Sequence, residues 1–288
     1  MFQALIFNEN LYNRLPGIQA INAYFPLTDY PPFDSPYKSY QVINITGLNP
    51  PKTQLNFIKT ATTDGAIFNS GFVDTRNIVI YLRINDKVDE VCEKINYVCQ
   101  LKETVKFYYK TGDISVYIEG YVDSIEYNHF DKGIIAQISL ICPDPNFKSD
   151  TENTFTRNFN GADVYSNFIN NKVPIGILIQ IAFNTSFNTS NIPFNLTISY
   201  GPKIEIRDLS ILANDVLKIS TYQNSIYAKI ERPSSGNPPV QTINALPYIT
   251  SDSNFNQLSV GPHTCTLAVT NDIGGTLTIK SRNEYIGV

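Results

Sequence analysis

Two histidines in 288 residues, His129 and His263, limit what this chain could catalyse. His129 stands in an expected turn and His263 follows Pro262 in "VGPHTC", in a different expected domain. No H-x-x-x-H or HExxH is present, and Cys92, Cys99, Cys142 and Cys265 form no CxxC pair, so no metal ligands are assigned. On a helix Cys92 and Cys99 would stand roughly 10 Å apart along the axis, too far to bridge. All four are therefore read as reduced, mostly buried thiols. GxGxxG, GxxxxGK[ST] and GxSxG are absent, so no cofactor-binding or catalytic residue is assigned either. Glu119 with Asp123, and Glu126 with Asp131, could pair for acid–base work. Among 26 acidic residues such near pairs arise by chance. The expectation is a protein that is not an enzyme.

Sugar recognition is harder to dismiss. The chain has 18 Tyr and 17 Phe but no Trp, the preferred platform for a sugar face. Tyr222, Tyr227 and Tyr248 are the candidate sugar-stacking aromatics; the plainer reading places them in the core and rim of β-sheets.

Strands must position whatever these residues do. In "NIVIYLRI", Ile78, Ile80, Leu82 and Ile84 alternate onto one face. "ETVKFYYK" puts Val105, Phe107 and Tyr109 on one side, and "TGD" turns the chain into "ISVYIEGYVDSIEY", where Gly120 is expected to mark a bulge or kink. "NHFDKG" turns again into "IIAQISLICPDPNF". Short turns between consecutive strands predict an antiparallel meander. One helix interrupts it: "KVDEVCEKINYVCQL", with Asp86 as its expected cap and Asp89, Glu90 and Glu93 clustered in its first turns. Cys142, Pro143, Asp144, Pro145 and Phe147 mark the expected end of the last strand, because Pro143 and Pro145 lack the N–H that a ladder needs.

The chain is long enough for two domains. We expect a first domain over 1–147 and a polar connector with an irregular lead-in strand over 148–172. A second all-β domain over 173–288 carries "IGILIQIAF", "FNLTISY", "KIEIR", "VLKIS", "SIYAKI", "CTLAV" and "TLTIK". The formal charge is −4 and uneven: 12 basic and 16 acidic residues in 1–147, 10 of each in 148–288. That disfavours a sequence-specific nucleic-acid surface. No run of about 18 apolar residues predicts a membrane span, and "MFQALIFNEN" does not read as a signal peptide.

Several segments together resemble the siphophage distal tail protein family, often called Dit. They are "DGAIFNSGFVDTRNIVIYLRI" (64–84), the helix after it, the "ISLICPDPNF" closing strand, "KIEIRDLSILANDVLKIS" (203–220) and "FNQLSVGPHTCTLAVTNDIGGTLTIKSRNEYIGV" (255–288). Residues 24–60 and the insertions "NTSFNTSN" and "PSSGNPP" depart from the pattern. The resemblance implies a mainly β chain: a tail-tube-like β-barrel with one flanking helix, then a galectin-like or carbohydrate-module-like β-sandwich of jelly-roll type, with the last few residues a candidate return to the first domain.

It also implies a structural virion protein, made and assembled in the host cytoplasm. Six copies form a ring at the distal end of the tail, joining the tail tube and tape-measure protein to the tail-associated tip protein, with receptor-binding proteins as further partners. DNA would pass through the channel, which Asp89, Glu90 and Glu93 are candidates to line with negative charge. The alternative is an adhesion module whose second domain binds a host cell-wall glycan.

Overall fold

The computed structural model describes residues 2–14, 23–28, 39–59, 64–128, 134–166, 168–171, 173–190, 194–222, 225–234, 240–269 and 273–288. His129, Asp131 and most of the turn "NHFDKG" lie outside the described residues. The chain divides into two compact units, Met1–Asp150 with Tyr285–Val288, and Thr151–Glu284.

The first unit runs β1 (Phe2–Phe7), α1 (Glu9–Arg14), β2 (Tyr24–Pro26), β3 (Tyr40–Thr46), β4 (Thr53–Ile58), β5 (Ile67–Val73), β6 (Arg76–Ile84), α2 (Val88–Val98), β7 (Thr104–Thr111), β8 (Ile114–Asn128), β9 (Ile134–Cys142) and β10 (Phe147–Ser149). Its main sheet has the order β2-β1-β7-β8-β9-β6-β3, antiparallel along the path. The alternation read in β6 is realised, with Ile78, Ile80, Leu82 and Ile84 buried beside Ile138 and Leu140 of β9 and Val105 and Phe107 of β7. α2 lays Val91, Ile95 and Val98 on the same core. An apolar stripe at helical spacing explains both the helix and its seat.

Three expectations are corrected below. Among the described residues no ladder joins β2 to β3, so the sheet is not seen to close into the expected barrel there. Side chains bridge that gap instead, as the Tyr40 ring stacks on Phe25 at 5.0 Å and its hydroxyl donates to the Pro26 carbonyl. Gly120 is no bulge. It pairs in register with Val105, and a Cβ there would lie 2.8 Å from Cys142 Sγ and 3.1 Å from the Ile141 carbonyl, so close packing demands glycine. The irregularity sits further on, between Val122 and Ser124. Asp86 does not cap α2: the cap position is Lys87 at φ 51° with no side-chain cap bond, while Asp86 Oδ1 accepts the Lys87 N–H at 2.8 Å. Lastly, β9 ends at Cys142 before the two prolines, but Phe147 does not close the unit. It is buried and opens β10, which pairs back onto β8 through Lys148–Tyr117 and Ser149–Val116.

The second unit runs β11 (Asn153–Asn160), β12 (Asp163–Tyr165), β13 (Asn170–Asn171), β14 (Ile177–Phe183), β15 (Phe187–Asn188), β16 (Phe194–Ile198), β17 (Lys203–Ile206), β18 (Ser210–Ile211), β19 (Val216–Tyr222), β20 (Ser225–Pro233), β21 (Val240–Asn244), β22 (Gly261–Pro262), β23 (Cys265–Ala268), β24 (Gly274–Ser281) and β25 (Glu284–Tyr285), whose last residue begins the return to the first unit. A six-stranded sheet, β11-β24-β14-β19-β20-β21, and a four-stranded sheet, β12-β23-β16-β17, share one core. Ile177, Ile179, Ile181, Leu217, Ile219 and Leu277 supply it from the first sheet; Phe194, Leu196, Ile204, Ile206 and Leu267 supply it from the second. This is a two-sheet sandwich. Within 148–172, expected as a polar connector with an irregular lead-in strand, β11 pairs with β24 along its full length, from Asn153–Ser281 to Asn160–Gly274.

Candidate functional site

The residues that could have done chemistry are occupied or apart. His263 is buried, its Nδ1 2.7 Å from the Ser199 carbonyl and its Nε2 2.9 Å from both Asn171 Oδ1 and the Ser259 carbonyl. It ties β13, β22 and the turn after β16 together. Glu119 is exposed and 3.7 Å from Lys106 Nζ; Asp123 and Glu126 are exposed. Among the described residues no group of three His, Cys, Asp or Glu is placed to hold a metal ion, and no helix is long and apolar enough to cross a membrane. Burial pushes the thiols of Cys99, Cys142 and Cys265 up to about 12.

The three tyrosines do not make one platform. Tyr222 and Tyr227 are diagonal neighbours across β19 and β20, since Ser220 faces Tyr227 and Tyr222 faces Ser225. Tyr222 backs onto Gly176, where a Cβ would come within 2.7 Å of its Cα, and Lys229 Nζ lies over the Tyr227 ring at 5.4 Å. Tyr248 lies off that ladder, on the turn Leu246–Tyr248, its carbonyl accepting the Arg207 N–H beside β17. Asp89, Glu90 and Glu93 are all exposed on α2, and Lys87 Nζ pairs with Glu90 at 3.0 Å.

What stands out is the ribbon of β4 and β5. It forms a two-stranded ladder of its own, from Thr53–Val73 to Ile58–Ile67, with one register shift between Asn56 and Phe57. Every one of its residues is exposed. The register puts Leu55, Phe57, Phe68 and Val73 on one face and Ile58, Ile67 and Phe72 on the other. These seven side chains are between 48% and 61% exposed, so neither face is turned to a core of its own. Local pins hold the ladder: Gln54 Nε2 to Asp74 Oδ2 at 2.9 Å, Asn56 Nδ2 to Ser70 Oγ at 3.1 Å, and Phe57 edge-on to Phe68 at 6.1 Å. The first of these, with the Thr75 N–H, holds the Asp74 carboxyl below its usual range.

A lone two-stranded hairpin is marginal in water, and a contiguous apolar surface on a protein exposed to water marks a contact site. Among the described residues this arm pairs with no third strand and carries apolar groups on both faces, the features of a contact surface. Sequence reasoning missed it. The signal was present in "TQLNFI" and "IFNSGFV", where adjacent apolar residues break the alternation of a half-buried strand and put bulk on both faces.

No protein-family model matches the chain, and no curated protein matches it in sequence. Solved structures do match. The SPP1 Dit (gp 19.1) protein, described as a paradigm of the hub adsorption apparatus in phages infecting Gram-positive hosts, superposes with a TM-score of 0.65. It is 12% identical, over 99% of both chains. A chain of the phage P2 baseplate in its activated conformation with calcium gives 0.55 at 11% identity over 100% of both chains. The p2 baseplate with strontium gives 0.51 at 10% over 100% of both. At these identities the likeness is one of fold: the mainly β, Dit-like architecture.

Proposed function

We propose that this chain is a structural protein of a phage tail tip, where six copies close into a ring at the distal end of the tail. The β4–β5 arm carries the proposal, because seven apolar side chains open to water need a neighbour and a copy of the same chain supplies one in a closed ring. The end-to-end likeness in fold to the SPP1 Dit protein and to phage baseplate chains supports it. In this reading the ring joins the tail tube and tape-measure protein to the tail-associated tip protein. Receptor-binding proteins are further partners, assembly takes place in the host cytoplasm, and the virion tail tip is the final location. DNA passes through the ring, and exposed Asp89, Glu90 and Glu93 face that channel, where like charge keeps phosphates from sticking to the wall. An adhesion role is the weaker reading, since Lys229 already lies over Tyr227 and Tyr248 is off the Tyr222–Tyr227 ladder.

Light scattering of the purified chain tests the ring: the mass expected is near six times 32.4 kDa. Phe57→Asp with Phe68→Asp returns it to one copy while circular dichroism stays unchanged. A wild-type chain that remains single at high concentration overturns the ring, and an image that puts α2 on the outer rim removes the channel role of its acidic residues.

A further inference from the structure

The root of the arm is held by a buried cation. β3 ends at Thr46 and the chain passes through Gly47–Lys52 to β4; β5 returns through Asp74 and Thr75 to β6, whose first residue is Arg76. Arg76 is 2% exposed. Its guanidinium donates to main-chain carbonyls in three separate segments. Nη1 donates to Gly47 and, at 2.7 Å, to Asn49, both in the arm's root; Nε donates to Pro145, in the loop after β9, at 2.6 Å; Nη2 donates to Ile286. The Phe147 ring lies under it, 4.7 Å from the guanidinium carbon. The residues after the second unit complete the arrangement. The Val288 N–H donates to the Leu48 carbonyl at 3.1 Å, and Gly287 lies so close that a Cβ on it would come 2.8 Å from Pro50 Cδ and 2.9 Å from Pro50 N. Asp74 N–H to the Lys52 carbonyl, 3.1 Å, closes the base of the ladder.

An arginine is suited to this and a lysine is not. Five N–H donors in a rigid planar fork reach carbonyls in several directions at once, whereas one ammonium at the end of a flexible stem does not. The proline-bracketed loop after β9 supplies one of these carbonyls, so the strand end singled out in the sequence is part of the same knot.

We infer that Arg76 and the segment Tyr285–Val288 act as a clamp that fixes the direction of the β4–β5 arm. Arg76 is a positioning residue: it touches the root and acts through it. Because Tyr285–Val288 follow the second unit in the chain, the root is locked only after that unit has been made and the segment has docked. The arm of a chain interrupted before residue 285 lacks half of its clamp. The use of the arm for assembly rests on the ring reading above; the clamp does not.

Two substitutions in the full chain test it from opposite sides. Arg76→Lys keeps the charge and loses the fork; Gly287→Val leaves Arg76 intact and pushes the segment off Pro50. The readout is limited trypsin cleavage after Lys52, at the root, relative to cleavage after Lys59, beyond the end of β4, with hydrogen exchange of β6 and β9 amides as the control for the sheet. We expect the root-to-tip cleavage ratio to rise about tenfold in both variants while β6 and β9 keep their protection, since local opening tracks the population of the opened segment. An unchanged ratio overturns the clamp. So does equal loss of protection in β6 and β9, which would make Arg76 a core residue and nothing more. If the ratio rises but wild type and variants alike are single chains by light scattering, the clamp stands and the ring reading falls.

Discussion

Cys142 sits at the end of β9 against Gly120, buried, and burial pushes its thiol up to about 12 despite the Arg76 guanidinium near it. Cys99 and Cys265 are pushed up to about 12 for the same reason, and Cys92, half-buried on α2, is raised as well. The thiolate is the reactive form. A maleimide at about pH 8 should therefore modify Cys92 first and reach the other three only as the protein unfolds. Mass spectrometry of the folded protein after brief labelling checks this; modification of Cys142 as fast as Cys92 would show that β9 opens on its own. The burial of three of these four thiols was legible in the sequence, since cysteines set in apolar strand and helix stripes read as core residues. Arg76 was not legible. Its partners are backbone carbonyls, which any residue supplies, and they come from positions as far as 210 residues away in the chain. Side-chain type marks a buried carboxylate pair far better than it marks a buried arginine spent on main chain.

The β19–β20 ladder shows how an element is held on its water-facing side. Its register sets Lys218 opposite Lys229, two like charges that repel across a sheet. Glu231 relieves this by reaching both, at 2.6 Å and 3.0 Å, and the two ammonium groups hold its carboxyl below the usual range. A carboxyl lowered on folding stabilises the protein above its unfolded value, and the contribution is lost as pH falls through the folded value. Glu231→Gln should cost about 1 kcal/mol at neutral pH, a cost that shrinks below about pH 4 and in high salt. Urea unfolding of both proteins across pH checks it, and a difference independent of pH would mean that Glu231 acts through packing. Most strands of this kind were legible, since β6 and β14 alternate cleanly. Others were not. β11 is an edge strand with only Phe159 buried, so "NTFTRNFN" has the composition of a connector and owes its strand to the partner β24. The arm failed for the opposite reason, being apolar on both faces with nothing beside it in the chain to explain why. Periodicity detects a face turned to the chain's own core; it is blind to a strand that turns no face to one.

For the whole molecule the charge balance makes a sharper demand. The formal charge is −4, and the excess lies in the half that carries the arm. In the proposed ring, bringing copies together sets apolar burial, which is indifferent to salt at moderate concentration, against repulsion, which is not. For two copies with centres about 30 Å apart, the unscreened repulsion in water is on the order of 2 kcal/mol. At 10 mM salt, where the screening length is itself near 30 Å, about 0.8 kcal/mol survives; at 150 mM almost none does. Each contact between neighbours should therefore strengthen roughly fourfold between these two concentrations and change little beyond. Sedimentation across a salt series at fixed protein concentration measures it, with the assembled fraction rising and then levelling. If added salt dissolves the assembly instead, complementary ion pairs hold the copies together and the exposed apolar arm is not the main contact. The double substitution Phe57→Asp with Phe68→Asp separates the two causes. It should abolish association at every salt concentration if burial of the arm drives it, and leave the salt-dependent part intact if ion pairs do.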